Sequence, residues 1–235
     1  MSFLNAEWRK LVMANYVVDP KILTPYIPDG TTLDFYEGRC YVSLVGFMFL
    51  NTRLMGVSIP FHRDFEEVNL RFYVKFQDGD VIKRGVVFIK EIVPKSAITF
   101  VANTVYHERY ETHRMNHSWH EKDETLTVKY QWQKRNRANS IWVRVLNSTS
   151  PLIQGTEEAF ITEHYWGYSK LGNKTFEYEV KHPTWTVYQV KDFGIDLDFE
   201  ELYGPEFQIL NDMKPQSVLL AEGSEISVES KRPIQ

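Results

Sequence analysis

Glu67, Asn69, Arg71, Tyr73 and Lys75 are spaced two apart and set an acid, an amide, a guanidinium, a phenol and an ammonium in one row. Successive side chains of a strand point to opposite faces, so the same stretch turns Val68, Leu70, Phe72, Val74 and Phe76 the other way. Such a row is either the wet side of an ordinary strand or the polar lining of an internal ligand cavity. Arg71 carries the clearest chemistry. Its forked donors suit a carboxylate, and its same-face neighbours, Asn69 and Tyr73, are polar but neutral. The competing role is an internal ion pair, for instance with Glu67. Lys75 stands four residues beyond Arg71, ~13 Å along a strand, and reads as a solvated strand end. An imine-forming amine would need desolvation.

Two further groups of residues could do chemistry. Glu163-His164-Tyr165 places an acid beside an imidazole, as proton transfer requires, and a structural pair tying a helix to a strand would look the same. His107, His113, His117 and His120 are dense enough to suggest metal. The last three would converge only on a helix, and Thr112–Trp119 lacks a helical stripe, so no metal site is expected. His107 and His113 are instead read as cavity-lining candidates. Cys40, the single cysteine, sits in an apolar strand and reads as packing; with no second thiol, an internal disulfide is excluded.

The elements that must position these groups are mostly strands. Aromatic residues make up 14% of the 235, and apolar/polar alternation recurs over 67–76, 81–92, 126–132 and 141–145. Residues 31–36 and 39–50 suggest a hairpin around Glu37-Gly38, its second arm apolar on both faces: Val42, Leu44 and Met48 against Val45, Phe47 and Phe49. Asp19-Pro20 opens a short helix, Pro94-Lys95-Ser96 starts one of about three turns, and Thr156-Glu157-Glu158 starts another. A long loop is expected over 51–65. No internal repeat or linker appears, and 1–235 reads as one β-rich α+β domain, mainly antiparallel. A net charge of −4 without a basic run argues against nucleic acid, and no apolar segment is long enough for a membrane span. A soluble, cytoplasmic protein is expected.

The opening pattern Arg9, Tyr16, Asp19, Leu23 and Pro28 resembles that of acetoacetate decarboxylases. More closely, the chain resembles the YqjF-like bacterial family of unknown function, which is related to them. The likeness runs through 38–43, 67–74, 106–115, 160–165, 182–185 and 217–220. It implies a closed, cone-shaped antiparallel β-barrel with a few short helices and an interior ligand cavity; it supplies no activity by itself. In the decarboxylases two adjacent lysines follow the central helix, one of which forms a Schiff base. The resemblance places Tyr110 and Glu111 at those positions, and neither can form an imine. Arg9 matches an arginine near their active site.

Together these readings give a barrel that binds a small carboxylate or carbonyl compound inside, with Arg71 as anchor helped by Asn69 and Tyr73. Tyr110, Glu111 and Glu163 are the candidate acid/base groups, with His107 or His113 nearby. If the chain is an enzyme, lyase or hydratase chemistry without a Schiff-base lysine is expected, and no cofactor is called for. The alternatives are a non-catalytic sensor or carrier, and a structural protein whose interior is filled by aromatics. Assembly with further copies of itself is allowed for.

Overall fold

The structure is a computed structural model that describes residues 2–234. The alternating segments all form strands. In chain order they are β1 (Ser2–Val17), β2 (Thr31–Leu33), β3 (Tyr41–Leu54), β4 (Phe65–Asp78) and β5 (Val81–Val93), then helix α1 (Ser96–Val101). Next come β6 (Tyr110–Thr112), β7 (Arg114–Lys122), β8 (Thr125–Lys134), β9 (Arg137–Pro151) and helix α2 (Glu157–Thr162). The chain ends with β10 (Trp166–Leu171), β11 (Lys174–Lys181), β12 (Thr186–Asp196), helix α3 (Phe199–Tyr203), β13 (Ser217–Glu229) and β14 (Arg232–Pro233). The three α-helices have six, six and five residues, so the fold is mostly sheet. Among the described residues no helix is long and apolar enough to cross a membrane.

The strands β11, β10, β5, β4, β3, β1 and β13 pair in that order, and a further pairing of β11 with β13 closes them into a ring. From β13 the sheet continues outward through β12, β9, β8 and β7. Because this extension packs back on the ring, β3 and β4 are covered twice. Val42, Leu44, Met48, Val68, Leu70, Phe72 and Val74 lie in a core shared with Val128, Tyr130, Ile141 and Val143 of the extension. Val45, Phe47 and Phe49 belong to a second core inside the ring, with Leu11, Met13, Phe65 and Phe160. The two-sided apolarity of β3 is the expected signature of this double cover.

Several local expectations change. Residues 31–33 pair with β4 rather than with β3, and the hairpin is reduced to a single bridge from Tyr36 to Arg39 around Glu37-Gly38. The ring is not wholly antiparallel: β10 and β6 both run parallel to β5. The loop expected over 51–65 shrinks to 55–64, because β3 runs on to Leu54. The central helix has the expected length, but its second half, Ala102–Tyr106, widens into a π-turn that stops at His107 in a left-handed conformation (φ 58°). Cys40 is buried in the outer core.

Candidate ligand-binding cavity

Inside the ring lies a cavity of about 230 Å³. β4 supplies its polar wall. With Val68, Leu70 and Phe72 committed to the outer core, strand alternation sends Glu67, Asn69 and Arg71 inward, and all three line the cavity. β5 contributes through an irregularity. Val86 and Phe88 face inward, so regular alternation would bring Lys90 in next. Instead the register with β4 steps from Leu70–Lys90 to Arg71–Phe88, leaving Ile89 as an extra residue. This bulge reverses the phase, turns Glu91 into the cavity opposite Asn69, and sends Lys90 out. Strand β6, parallel to β5, then sets Tyr110 beside Glu91. Glu108 and Tyr178 complete the polar group. Gly167 pairs with Tyr178 across β10 and β11, and a Cβ there would run into the phenol ring, so glycine is what lets Tyr178 reach the cavity.

Three carboxyls therefore share a cavity lined mainly by apolar side chains. The Asn69 amide and the Tyr110 hydroxyl each donate to Glu67, both at 3.0 Å, and the Tyr178 hydroxyl donates to Glu108 at 3.1 Å. Burial pushes the Glu67 carboxyl up to about 7, against those hydrogen bonds and the field of Arg71. Burial likewise raises Glu108 to about 8, with Tyr178 opposing. Glu91 is pushed well above the usual carboxylate range by burial and then by the charges of Glu108 and Glu67. Like-charged carboxyls in a dry site hold protons that isolated ones would lose.

Arg71 is the cationic counterpart. It is 8% exposed, donates to the Ile161 carbonyl at 3.2 Å at the end of α2, and lies over the Tyr73 ring. It forms no ion pair among the described residues, so the internal pair with Glu67 is not made. The Arg71 Nε, the Asn69 Oδ1 and one Glu91 oxygen are buried without a hydrogen-bond partner in the protein. Unsatisfied polar atoms on three neighbouring cavity residues are costly unless something else meets them.

Of the residues singled out by sequence, Arg71, Asn69 and Tyr110 are brought together here. Tyr73 is not among the lining residues: its hydroxyl is 2.7 Å from Ser43, and its ring packs on Phe160 and His164. Glu111 points away from the cavity, where Lys90 (2.6 Å), His113 (3.0 Å) and Lys134 (3.3 Å) surround it. The hydrogen bond from His113, with Lys90 after it, holds the Glu111 carboxyl far below its usual range. His113 is thus taken up by Glu111 and the Gln133 carbonyl, and His107 lies beside Phe176; neither lines the cavity. His117 meets Glu66, and no three His, Cys, Asp or Glu among the described residues are grouped to hold a metal ion. Glu163 accepts from Tyr165 at 2.6 Å, whereas His164 turns to Asp34 at 3.2 Å, so the adjacent acid and imidazole do not act as a pair. Burial lowers His164 to about 4, and this neutral imidazole lines the cavity. Arg9 pairs with Glu7 at 2.7 Å and is not among the residues lining this cavity. Lys75 is exposed, and no lysine lines the cavity among the described residues.

Known proteins share both the sequence pattern and the frame. A family model described as "Uncharacterized conserved protein", DUF2071, matches residues 5–225. The chain belongs to this family. A relative, the uncharacterized protein YqjF of Bacillus subtilis (strain 168), is 26% identical over 183 residues, covering 77% of this chain and 74% of YqjF. Among solved structures, the acetoacetate decarboxylase of Legionella pneumophila superposes with a TM-score of 0.67 at 10% identity, covering 99% of this chain and 87% of that one. The enduracididine biosynthesis enzyme MppR complexed with pyruvate gives 0.69 at 11% identity, covering 100% and 91%. At such identities the likeness establishes the shared fold alone.

Within this DUF2071 chain the residues that sequence reasoning missed are Glu91, Glu108 and Tyr178. A visible signal existed only for Glu91: an acid inside the apolar run Val86–Val93, whose inward turn depends on a bulge that strict alternation hides. Glu108 and Tyr178 come from separate parts of the chain and meet only through the closure of the ring.

Proposed function

We propose that the ring works as a ligand-holding barrel for a small molecule with a carboxylate beside a carbonyl. In this reading Arg71 takes the carboxylate, and Glu67–Tyr110 and Glu108–Tyr178 exchange protons at the carbonyl end. The observation that carries the reading is Arg71 itself, a buried guanidinium on the cavity wall that has no carboxylate partner among the described residues and an unpartnered Nε. A buried charge left unpaired is expensive, and an anion would offset that cost. The raised carboxyls suit proton transfer because a group with a pKa near the working pH can both give and take a proton. With no lysine on the wall among the described residues, hydratase- or lyase-type proton transfer fits better than imine chemistry.

The test is calorimetry and thermal shift with pyruvate, acetoacetate and related small acids on the wild type and Arg71→Lys. The variant keeps the charge but loses the fork, so binding should weaken by roughly 1.5–3 kcal/mol, the scale of a charged hydrogen bond. The empty protein should lose less than that. Equal affinity in the variant, together with a large loss of stability, would make Arg71 a structural residue. Binding without turnover would favour a sensor or carrier over an enzyme.

A further inference from the structure

Arg71 and the three carboxyls occupy only one part of the cavity. Along β4 the inward positions run Arg71, Asn69, Glu67, Phe65, a span of ~20 Å from first to last at the usual strand rise. Past Glu67 the wall is mostly apolar: Phe65 stacks on Phe49 at 4.7 Å, and Leu54, Ile59 and Ile98 follow, with Thr52 and His62 as the polar members at this end. The mouth lies at this end, for Ile59 is 43% exposed whereas Arg71 is 8% exposed. It is flanked by loop 55–64 and by α1, each of which carries an exposed aromatic, Phe61 at 88% and Phe100 at 71%. A cavity near 150 Å³ holds benzene, so by proportion one of 230 Å³ takes about nine non-hydrogen atoms, more than a three-carbon keto acid fills.

Resting on the Arg71 reading, we propose that the ligand is amphiphilic: a keto-acid head held between Arg71 and the carboxyls, and an unbranched or aryl tail lying along Phe65, Phe49 and Ile98 toward the mouth. A tail that leaves water here gains the apolar transfer free energy that a short acid forgoes. Phe61 and Phe100 offer apolar surface to a tail that outgrows the cavity.

The experiment is a chain-length series of 2-oxo acids, from pyruvate through 2-oxohexanoate to 2-oxooctanoate, titrated calorimetrically into the wild type, Arg71→Met and Ala102→Phe, with 1-octanol as a tail without a head. Affinity should rise about three- to fourfold per added methylene. Ala102 lines the cavity one helical turn beyond Ile98, so A102F, which takes up volume there, should flatten that rise. Arg71→Met should weaken every acid by a similar factor and leave octanol untouched. Equal affinity for all acids in the wild type overturns the amphiphile while the anion reading stands. Acid affinities that Arg71→Met leaves unchanged, with 1-octanol bound as tightly as 2-oxooctanoate, overturn the anion reading and leave only an apolar site. No binding of any acid at millimolar concentration overturns both.

Discussion

Lys90 and Glu91 are neighbours on β5, Tyr110 and Glu111 are neighbours on β6, and the sheet divides each pair. On the side away from the cavity, Glu111 is met by Lys90, Lys134 and His113 and is held far below its ordinary range. On the cavity side, Glu91 faces two other carboxyls and a phenol and is pushed well above it. The same side chain is thus shifted in opposite directions on the two faces of one sheet. Glu111 has as many cations as it can use, which is what a charge retained for the fold requires. Among the described residues that line the cavity Arg71 is the one Lys or Arg, it forms no ion pair with the acids there, and such an incomplete set of charges is what a ligand could complete.

The largest expected consequence is in the pH dependence of stability. Glu67 and Glu108 bind protons more tightly folded than unfolded, so between the ordinary value of 4.5 and about 7 and 8 the folded state holds more protons and stability falls as pH rises. His164, lowered to about 4, acts in the opposite sense below 6.5, so the decline is read above that point. Chemical denaturation should give a loss on the order of 2–3 kcal/mol between pH 6.5 and 8.5, at ~1.4 kcal/mol per pKa unit. A Glu67→Gln, Glu108→Gln double variant should remove their share of that slope and leave the share of Glu91, whose carboxyl is also pushed up by burial. An equally steep decline in the variant would place its origin elsewhere.

Glu91→Gln should come next in size. At pH 8 folding must either protonate Glu91 or ionise it among like charges, a cost that glutamine does not carry, so the variant should unfold later than wild type, by about 1–2 kcal/mol. A destabilised variant would mean that Glu91 has a stabilising partner. In the wild type, anion affinity should fall as pH rises through 7 to 8 and the carboxyls ionise, by about tenfold in calorimetry between pH 6.5 and 8.5, which corresponds to ~1.4 kcal/mol.

The smallest effect belongs to the outer face. Glu111→Gln breaks ion pairs around a side chain that is 37% exposed, so it should cost only about 0.5–1 kcal/mol, and salt should shrink the difference further. A loss of several kcal/mol, or of ligand binding, would erase the distinction between the two faces.

What could be read from the chain follows the range of the interactions involved. Strand alternation is local, and so the inward row Glu67, Asn69, Arg71 and the double cover of β3 are legible in the order of residues alone. Tyr110 lines the cavity, but its neighbour Glu111 is bound to face the other way, because adjacent residues on a strand cannot share a face. Tyr73 sits on the right face and is nevertheless taken up by Ser43 and the packing of α2, a contact that depends on where a distant helix docks. Glu91 is hidden by one extra residue in β5, and Glu108 and Tyr178 by the closure of a ring whose strands are far apart in sequence.

That the cavity carboxyls keep protons near neutral pH is tested most directly by carboxyl-13C NMR titration of glutamate-labelled protein, wild type against Glu67→Gln and Glu108→Gln. The expected result is at least two glutamate resonances still titrating between about pH 7 and 8, one disappearing with each substitution, while the Glu111 resonance stays ionised throughout. If every glutamate has finished titrating by pH 6, the cavity holds ordinary carboxylates, and the proton-transfer reading is contradicted.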